Sequence, residues 1–104
     1  MRSEVLKGHV DLLLLATLRR GPLHGYGAVE ELRGVSGGAF DLAEGTVYPA
    51  LYRLERAGLL TSKWTTLGGR RRRVYRLTAR GRAELARERK DWKAFAHAVE
   101  VVVT

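Results

Sequence analysis

The sequence predicts a mainly α-helical domain with one small β-hairpin, and three observations carry that expectation. Apolar residues recur at helical spacing in four segments. Residues 59–77 are instead rich in Thr, Leu and aromatic residues around a Gly-Gly pair, the pattern of two strands and a tight turn. The third observation is where the charge lies. The 104 residues carry a net charge of +8, yet residues 45–82 hold ten Lys or Arg and one acid, Glu55. The other 66 residues hold nine basic and ten acidic side chains, so one contiguous third carries all of the excess. A cationic tract of this kind points to a polyanion, either nucleic acid or an anionic membrane surface.

The first helix is expected over residues 7–20. Gly21 and Pro22 end it, and Arg19 and Arg20 suit its C-terminus. Val10, Leu13, Leu14 and Leu18 lie on one side and Leu12 and Leu15 on another, so several faces need cover. A second helix fits residues 24–35, with Val29 and Leu32 inward, until Gly34, Gly37 and Gly38 break the chain. The segment "AFDLA" is expected to form a short strand through Phe40 and Leu42. Val47, Leu51 and Leu54 then mark a third helix over residues 44–57, stopped by Gly58. Thr46 can cap it, which puts Pro49 in the first turn. If the helix starts earlier, Pro49 removes one hydrogen bond and bends it. Two strands follow, "LLTSKWTTL" and "RRRRVYRL", with Tyr75, Leu77 and the stem of Arg73 inward. Trp64 is expected to pack. Thr78 can cap a last helix, from residue 79 to the end, whose stripe is Leu85, Trp92, Phe95, Ala96, Val99 and Val102. The β-branched tail "VEVVV" weakens its last turns.

Three helices followed by a two-stranded hairpin is the order of a winged helix-turn-helix. Residues 1–78 would form that DNA-binding domain and residues 79–104 a dimerisation helix, as one compact unit. The excess charge falls on the third helix and the hairpin, the two elements such a fold presents to DNA. On the helix face away from Val47, Leu51 and Leu54 stand Thr46, Ala50 and Arg53, flanked by Tyr48 and Tyr52. Their hydroxyls can reach phosphate, and Arg53 can reach phosphate or a guanine edge. At the hairpin tip Arg70, Arg71 and Arg72, with Lys63 beside them, suit phosphate or minor-groove contact. Leu12, Leu15, Leu85, Trp92, Phe95 and Val99 exceed what a small monomer is expected to cover. They are expected to meet a second copy across a two-fold axis, and Trp92 and Phe95 can also line a cavity for a small planar apolar effector.

Other classes fit less well. There is no cysteine, and no apolar run reaches the roughly 18 residues needed to span a bilayer. Asp11 splits the first apolar run and no cleavage site follows it, so a cytoplasmic protein is expected. His9, His24 and His97 lack ligand spacing, Ser3, Ser36 and Ser62 lack catalytic partners, and no phosphate loop precedes a helix. No metal, cofactor or enzymatic activity is expected. The alternative is a small basic RNA- or ribosome-associated protein, for which strand aromatics would have to stack bases, and only Trp64 and Tyr75 are available. A peripheral membrane protein would carry its cations on an amphipathic helix rather than in a hairpin.

Three segments, "LKGHVDLLLLATLRRGPLHGYG", "EGTVYPALYRLERAGLL" and "GGRRRRVYRLTARGR", together resemble the PadR family of bacterial transcriptional regulators over about residues 5–85. The colinear set is specific where any one segment alone is not. The resemblance implies a homodimeric DNA-binding repressor, often released by a small molecule. With one helix after the wing, the chain is similar to the shorter subgroup. It departs from the family at Gly27, where a charged residue is more usual. That glycine should loosen the second helix by up to about 1 kcal/mol.

Overall fold

A computed structural model describes Leu6 and residues 8–104. Among these, four helices and three strands have defined bounds. They are α1 (Val10–Arg19), β1 (Leu23–His24), α2 (Gly25–Val35), α3 (Glu44–Arg56), β2 (Leu60–Leu67), β3 (Arg70–Leu77) and α4 (Ala79–Val103). The expected start of the first helix at Lys7 lies outside the described residues. The strands form one antiparallel sheet in the order β1-β3-β2. This is the winged helix-turn-helix, carrying one long helix after the wing.

The third strand is not where the sequence put it. Residues 39–43 have no strand. Leu42 is drawn into the core, and the Phe40 amide donates to Ser36 Oγ at 2.9 Å, so this backbone is spent on a turn. The free edge of β3 is filled instead by Leu23 and His24, opposite Tyr75 and Val74. The third helix starts early, at Glu44. Ala43 is its N-cap and its carbonyl accepts from the amides of both Thr46 (2.9 Å) and Val47 (3.1 Å). Thr46 is therefore inside the first turn rather than the cap, and Pro49 lies in the second turn, where its missing N–H leaves one carbonyl without a helical donor.

α1 runs through the middle of the molecule, against α2, α3, α4 and β3. Leu14, Leu15, Val47 and Leu51 are fully buried there. Leu15 and Leu85, expected at a partner interface, lie in the core of the single chain at 0% and 4% exposure. Helical spacing showed that Leu15 needed cover, but the cover comes from this chain. Leu12 and Leu13 remain half-buried at the edge of the core.

The start of α4 is fastened to the end of α3. Thr78 Oγ1 donates to the Gly58 carbonyl (2.7 Å) and accepts from the Gly81 amide (3.0 Å), while the Thr78 amide donates to the Leu59 carbonyl (3.1 Å). Gly81 packs so closely that a β-carbon would lie 2.0 Å from the Leu59 oxygen. Beyond Leu85 no residue of α4 is fully buried, Glu88 and Ala96 being half-buried, although the helix continues through the valines to Val103.

A helical Gly→Ala change ordinarily stabilises by about 1 kcal/mol. At Gly81 the sign should reverse, with a loss of about 2–3 kcal/mol as backbone is forced apart. Thr78→Ala should cost about 1 kcal/mol by removing the cap. Urea unfolding measures both, and a Gly81→Ala protein more stable than the parent would contradict this packing.

Candidate nucleic-acid interface

α3 presents Thr46, Tyr48, Tyr52 and Arg53 outward, with Tyr48 41% and Tyr52 59% exposed. Ala50, expected on this face, is buried, because α3 packs against α2 as well as α1 and the covered arc is wider than one stripe. Tyr48 is set by Gly25. A β-carbon there would lie 2.3 Å from Tyr48 Cε1 and 2.5 Å from Cζ, so the ring rests on bare backbone at the start of α2. Tyr52 lies under the Arg56 guanidinium, 5.7 Å from the ring centroid. Arg53 is not a free cation. It donates to both carboxylate oxygens of Asp11, at 2.7 and 3.0 Å, which joins α3 to α1 and pushes the arginine pKa up. Its side chain is 59% exposed, so the pair is worth at most about 1 kcal/mol.

Gly68 and Gly69, both at positive φ, make the wing's two-residue turn. Cross-strand partners share a face. One face carries Leu60 with Leu77, Ser62 with Tyr75, Trp64 with Arg73 and Thr66 with Arg71. The other carries Thr61 with Arg76, Lys63 with Val74, Thr65 with Arg72 and Leu67 with Arg70. Arg70, Arg71 and Lys63 are exposed and Arg72 is half-buried. Trp64, expected to pack, is 55% exposed. No core lies beneath it that far out, and the guanidinium groups of Arg71 and Arg73 cover it instead, at 4.9 and 5.8 Å from the ring centroid. Arg73 is tethered: its Nε donates to Ser62 Oγ (2.8 Å) and its Nη2 to Glu55 Oε1 (3.4 Å), while Ser62 Oγ donates to Glu55 Oε2 (2.6 Å). Beside the wing, burial and then the charge of Arg72 hold the His24 pKa below its ordinary value. A β-carbon at Gly27 would lie 3.1 Å from the His24 ring, so the glycine at this position gives that imidazole its space.

A groove of about 230 Å³ lies between α1 and α4, lined by His9, Leu12, Glu88, Asp91, Trp92 and Phe95. The Trp92 ring meets His9 edge-on at 5.4 Å and Phe95 at 6.0 Å. Trp92, Phe95 and Val99 are exposed, as Leu12 partly is. Burial, then a hydrogen bond and repulsion from Glu84, then the charge of Asp11, push the Glu88 pKa up to about 7. Among the described residues no group of three His, Cys, Asp or Glu could hold a metal ion, and no helix is long and apolar enough to cross a membrane.

Residues 14–87 match the family model described as "Transcriptional regulator PadR-like family". A transcriptional regulator of Mycobacterium tuberculosis is 38% identical over 96 residues, spanning 92% of this chain and 87% of the relative. The structure of a transcriptional regulator from Clostridium thermocellum superposes with a TM-score of 0.90 at 27% identity, covering 100% of this chain and 99% of the other. The crystal structure of Bacillus subtilis PadR in complex with operator DNA superposes with a TM-score of 0.67 at 28% identity, covering 80% of this chain and 45% of that one.

Glu88 gives a pH dependence. Its folded pKa, about 7, stands above the ordinary 4.5, so between those values the folded chain keeps a proton that the unfolded chain has lost. Its stabilising contribution is complete below about pH 4.5 and is lost as the pH rises through 7. Thermal unfolding at pH 5 and pH 8 should show a smaller loss for Glu88→Gln than for the parent. Solvent screening keeps the difference below about 1 kcal/mol, and identical pH profiles would rule the effect out.

Proposed function

The chain belongs to the PadR-like family of transcriptional regulators, and from that premise we propose that it is a homodimeric repressor that holds double-stranded operator DNA and releases it when a small molecule binds. One observation carries the DNA-binding part. The stretch that carries the excess positive charge folds largely into α3 and the β2–β3 wing, where Arg53, Lys63, Arg70 and Arg71 are exposed. The operator complex of the Bacillus subtilis relative supports the same reading. In this reading the protein is a cytoplasmic binding protein and not an enzyme.

The N-terminal half of α3 enters the major groove, with the hydroxyls of Thr46, Tyr48 and Tyr52 directed at phosphate. Arg70, Arg71, Arg72 and Lys63 follow the backbone beside it. Arg53 reaches DNA only by leaving Asp11, an exchange the weak surface pair permits. The dimer forms through the half-buried Leu12 on α1 and the exposed Trp92, Phe95 and Val99 on α4. Two-fold symmetry sets paired recognition helices roughly 34 Å apart, one turn of DNA, on a pseudo-palindromic site. A planar apolar effector between the Trp92 and Phe95 rings of the two copies alters that spacing, to the extent that it binds the altered dimer more tightly.

A competition titration against a randomised operator at two salt concentrations tests the DNA assignment. Arg71→Ala with Arg72→Ala should weaken binding to all sequences alike and flatten the salt dependence by about 0.9 for each phosphate that is no longer neutralised. Tyr48→Phe should cost about 1 kcal/mol and leave base preference intact. Asp11→Ala, by releasing Arg53, should tighten binding while Arg53→Ala weakens it. Arg53→Ala should also relax base preference at one position per half-site, and the assignment is falsified if the wing pair changes base preference while Arg53→Ala does not.

Sedimentation tests the assembly. The parent should be a dimer at micromolar concentration, and Leu12→Asp or Val99→Asp should give monomers or insoluble protein. A well-folded parent monomer would exclude it. For the effector, planar compounds should quench the fluorescence of Trp92 more than that of Trp64, and Trp92→Ala should bind them more weakly. Unchanged binding by that variant would remove the cavity.

A further inference from the structure

The cationic tract keeps one carboxylate, Glu55, and a negative charge beside a phosphate-binding surface opposes binding. Its geometry supplies a reason for its presence. Glu55 Oε2 accepts from Ser62 Oγ at 2.6 Å, Glu55 Oε1 accepts from Arg73 Nη2 at 3.4 Å, and Ser62 Oγ accepts from Arg73 Nε at 2.8 Å. The three groups close a ring of hydrogen bonds, and each comes from a different element: α3, β2 and β3. The carboxylate side chain is 23% exposed and the arginine 44%. A pair so accessible adds little to stability. What it fixes is position, because three elements meet at one point with few free torsions. The ring also reaches further out, since Arg73 lies over Trp64 and Trp64 carries Arg71 on the same face.

We infer that Glu55 is a specificity-determining residue that acts through Arg73. It holds one wing arginine off the DNA phosphates and fixes the angle between the wing and the recognition helix. This rests on the reading of α3 and the wing as the DNA-binding surface. A phosphate contact adds affinity for every sequence equally, so an arginine withheld from phosphate lowers binding to all DNA alike, and discrimination has to come from the fixed wing. A fixed wing also lets α3 meet the operator in only one register, and bases are read only in that register. Releasing Arg73 therefore gives a protein that binds DNA more and discriminates less.

The test compares the parent, Glu55→Gln and Glu55→Gln/Arg73→Ala on the duplex that the parent selects from a randomised pool, taken as its operator, and on a scrambled duplex of equal length, from 50 to 200 mM salt. Ser62→Ala serves as a second way to open the ring. For Glu55→Gln the slope of log K against log salt on scrambled DNA should steepen by about 0.9, the value of one phosphate contact. Its affinity for scrambled DNA should then fall roughly threefold more than the parent's across that salt range. Its operator-to-scrambled ratio should fall, because a loosened wing costs binding only where α3 reads bases in register. Ser62→Ala should shift the slope in the same direction, and adding Arg73→Ala should return it to the parental value. A variant that merely loosened the fold would lose affinity for both duplexes without steepening the slope. That outcome, or a Glu55→Gln protein equal to the parent in slope and ratio, overturns the inference while leaving the DNA-binding reading in place. If the parent binds neither duplex, both fall together.

Discussion

There is no room for a β-carbon on Gly25 beside Tyr48 as it stands, and the geometry of the surface shared by α3 and the wing follows from that. The phenol ring of Tyr48 lies where the side chain would be, so α3 meets the first turn of α2 through a ring on bare backbone. The residue before Gly25 is still a strand. His24 pairs with Val74, and the next residue begins the helix. One short stretch thus fixes the recognition helix on one side and the inner edge of the wing on the other. The constraint is one of space rather than of backbone strain. A methyl at Gly25 meets the far end of a side chain that can swing away, whereas a methyl at Gly81 meets the Leu59 carbonyl, which cannot. Tight packing at Gly25 therefore sets the orientation of Tyr48, and at Gly81 it sets the stability of a joint.

Much of this was legible in the sequence because it is local. The stripe of Val47, Leu51 and Leu54, the alternation that buries Tyr75 and Leu77, the Gly-Gly turn and the Thr78 cap depend on neighbours a few residues away. What escaped depends on distant partners. β1 is two residues long and exists because β3 has an edge to fill, so it has no alternation of its own. Asp11 and Arg53 are 42 residues apart, and nothing near either announces the other. Leu15 shows that a helix can be apolar on several sides and still be covered within its own chain. Trp64 shows the reverse: an aromatic on a strand reads as core, but only the base of this hairpin has a core beneath it. One signal was present and unused. A lone acid in a tract of ten cations has to hold something, and Glu55 holds Arg73.

The arginines on the surface of α3 and the wing include two contrasting groups. Arg53 and Arg73 have carboxylate partners and defined positions. Arg70, Arg71 and Arg72 stand at the tip, and none of these three has an acidic partner within salt-bridge distance among the described residues. Salt screens unpaired surface charges over about 8–10 Å, so the tip responds strongly to ionic strength, while the bonded arginines owe their positions to short-range contacts. Attraction and alignment are thus assigned to different residues of one surface.

α4 is a lever with its fulcrum at one end. Its first turn is bolted to Gly58 and Leu59 by Thr78 and Gly81, Trp92 meets His9 edge-on farther along, and no residue past Leu85 is fully buried in its own chain. At 1.5 Å per residue the helix is about 37 Å long, so a tilt of about 10° at the fulcrum sweeps the free end through about 6 Å. The same gearing works in reverse. A load on the valine-rich end is delivered, with mechanical advantage, to the residues that join the recognition helix to the wing.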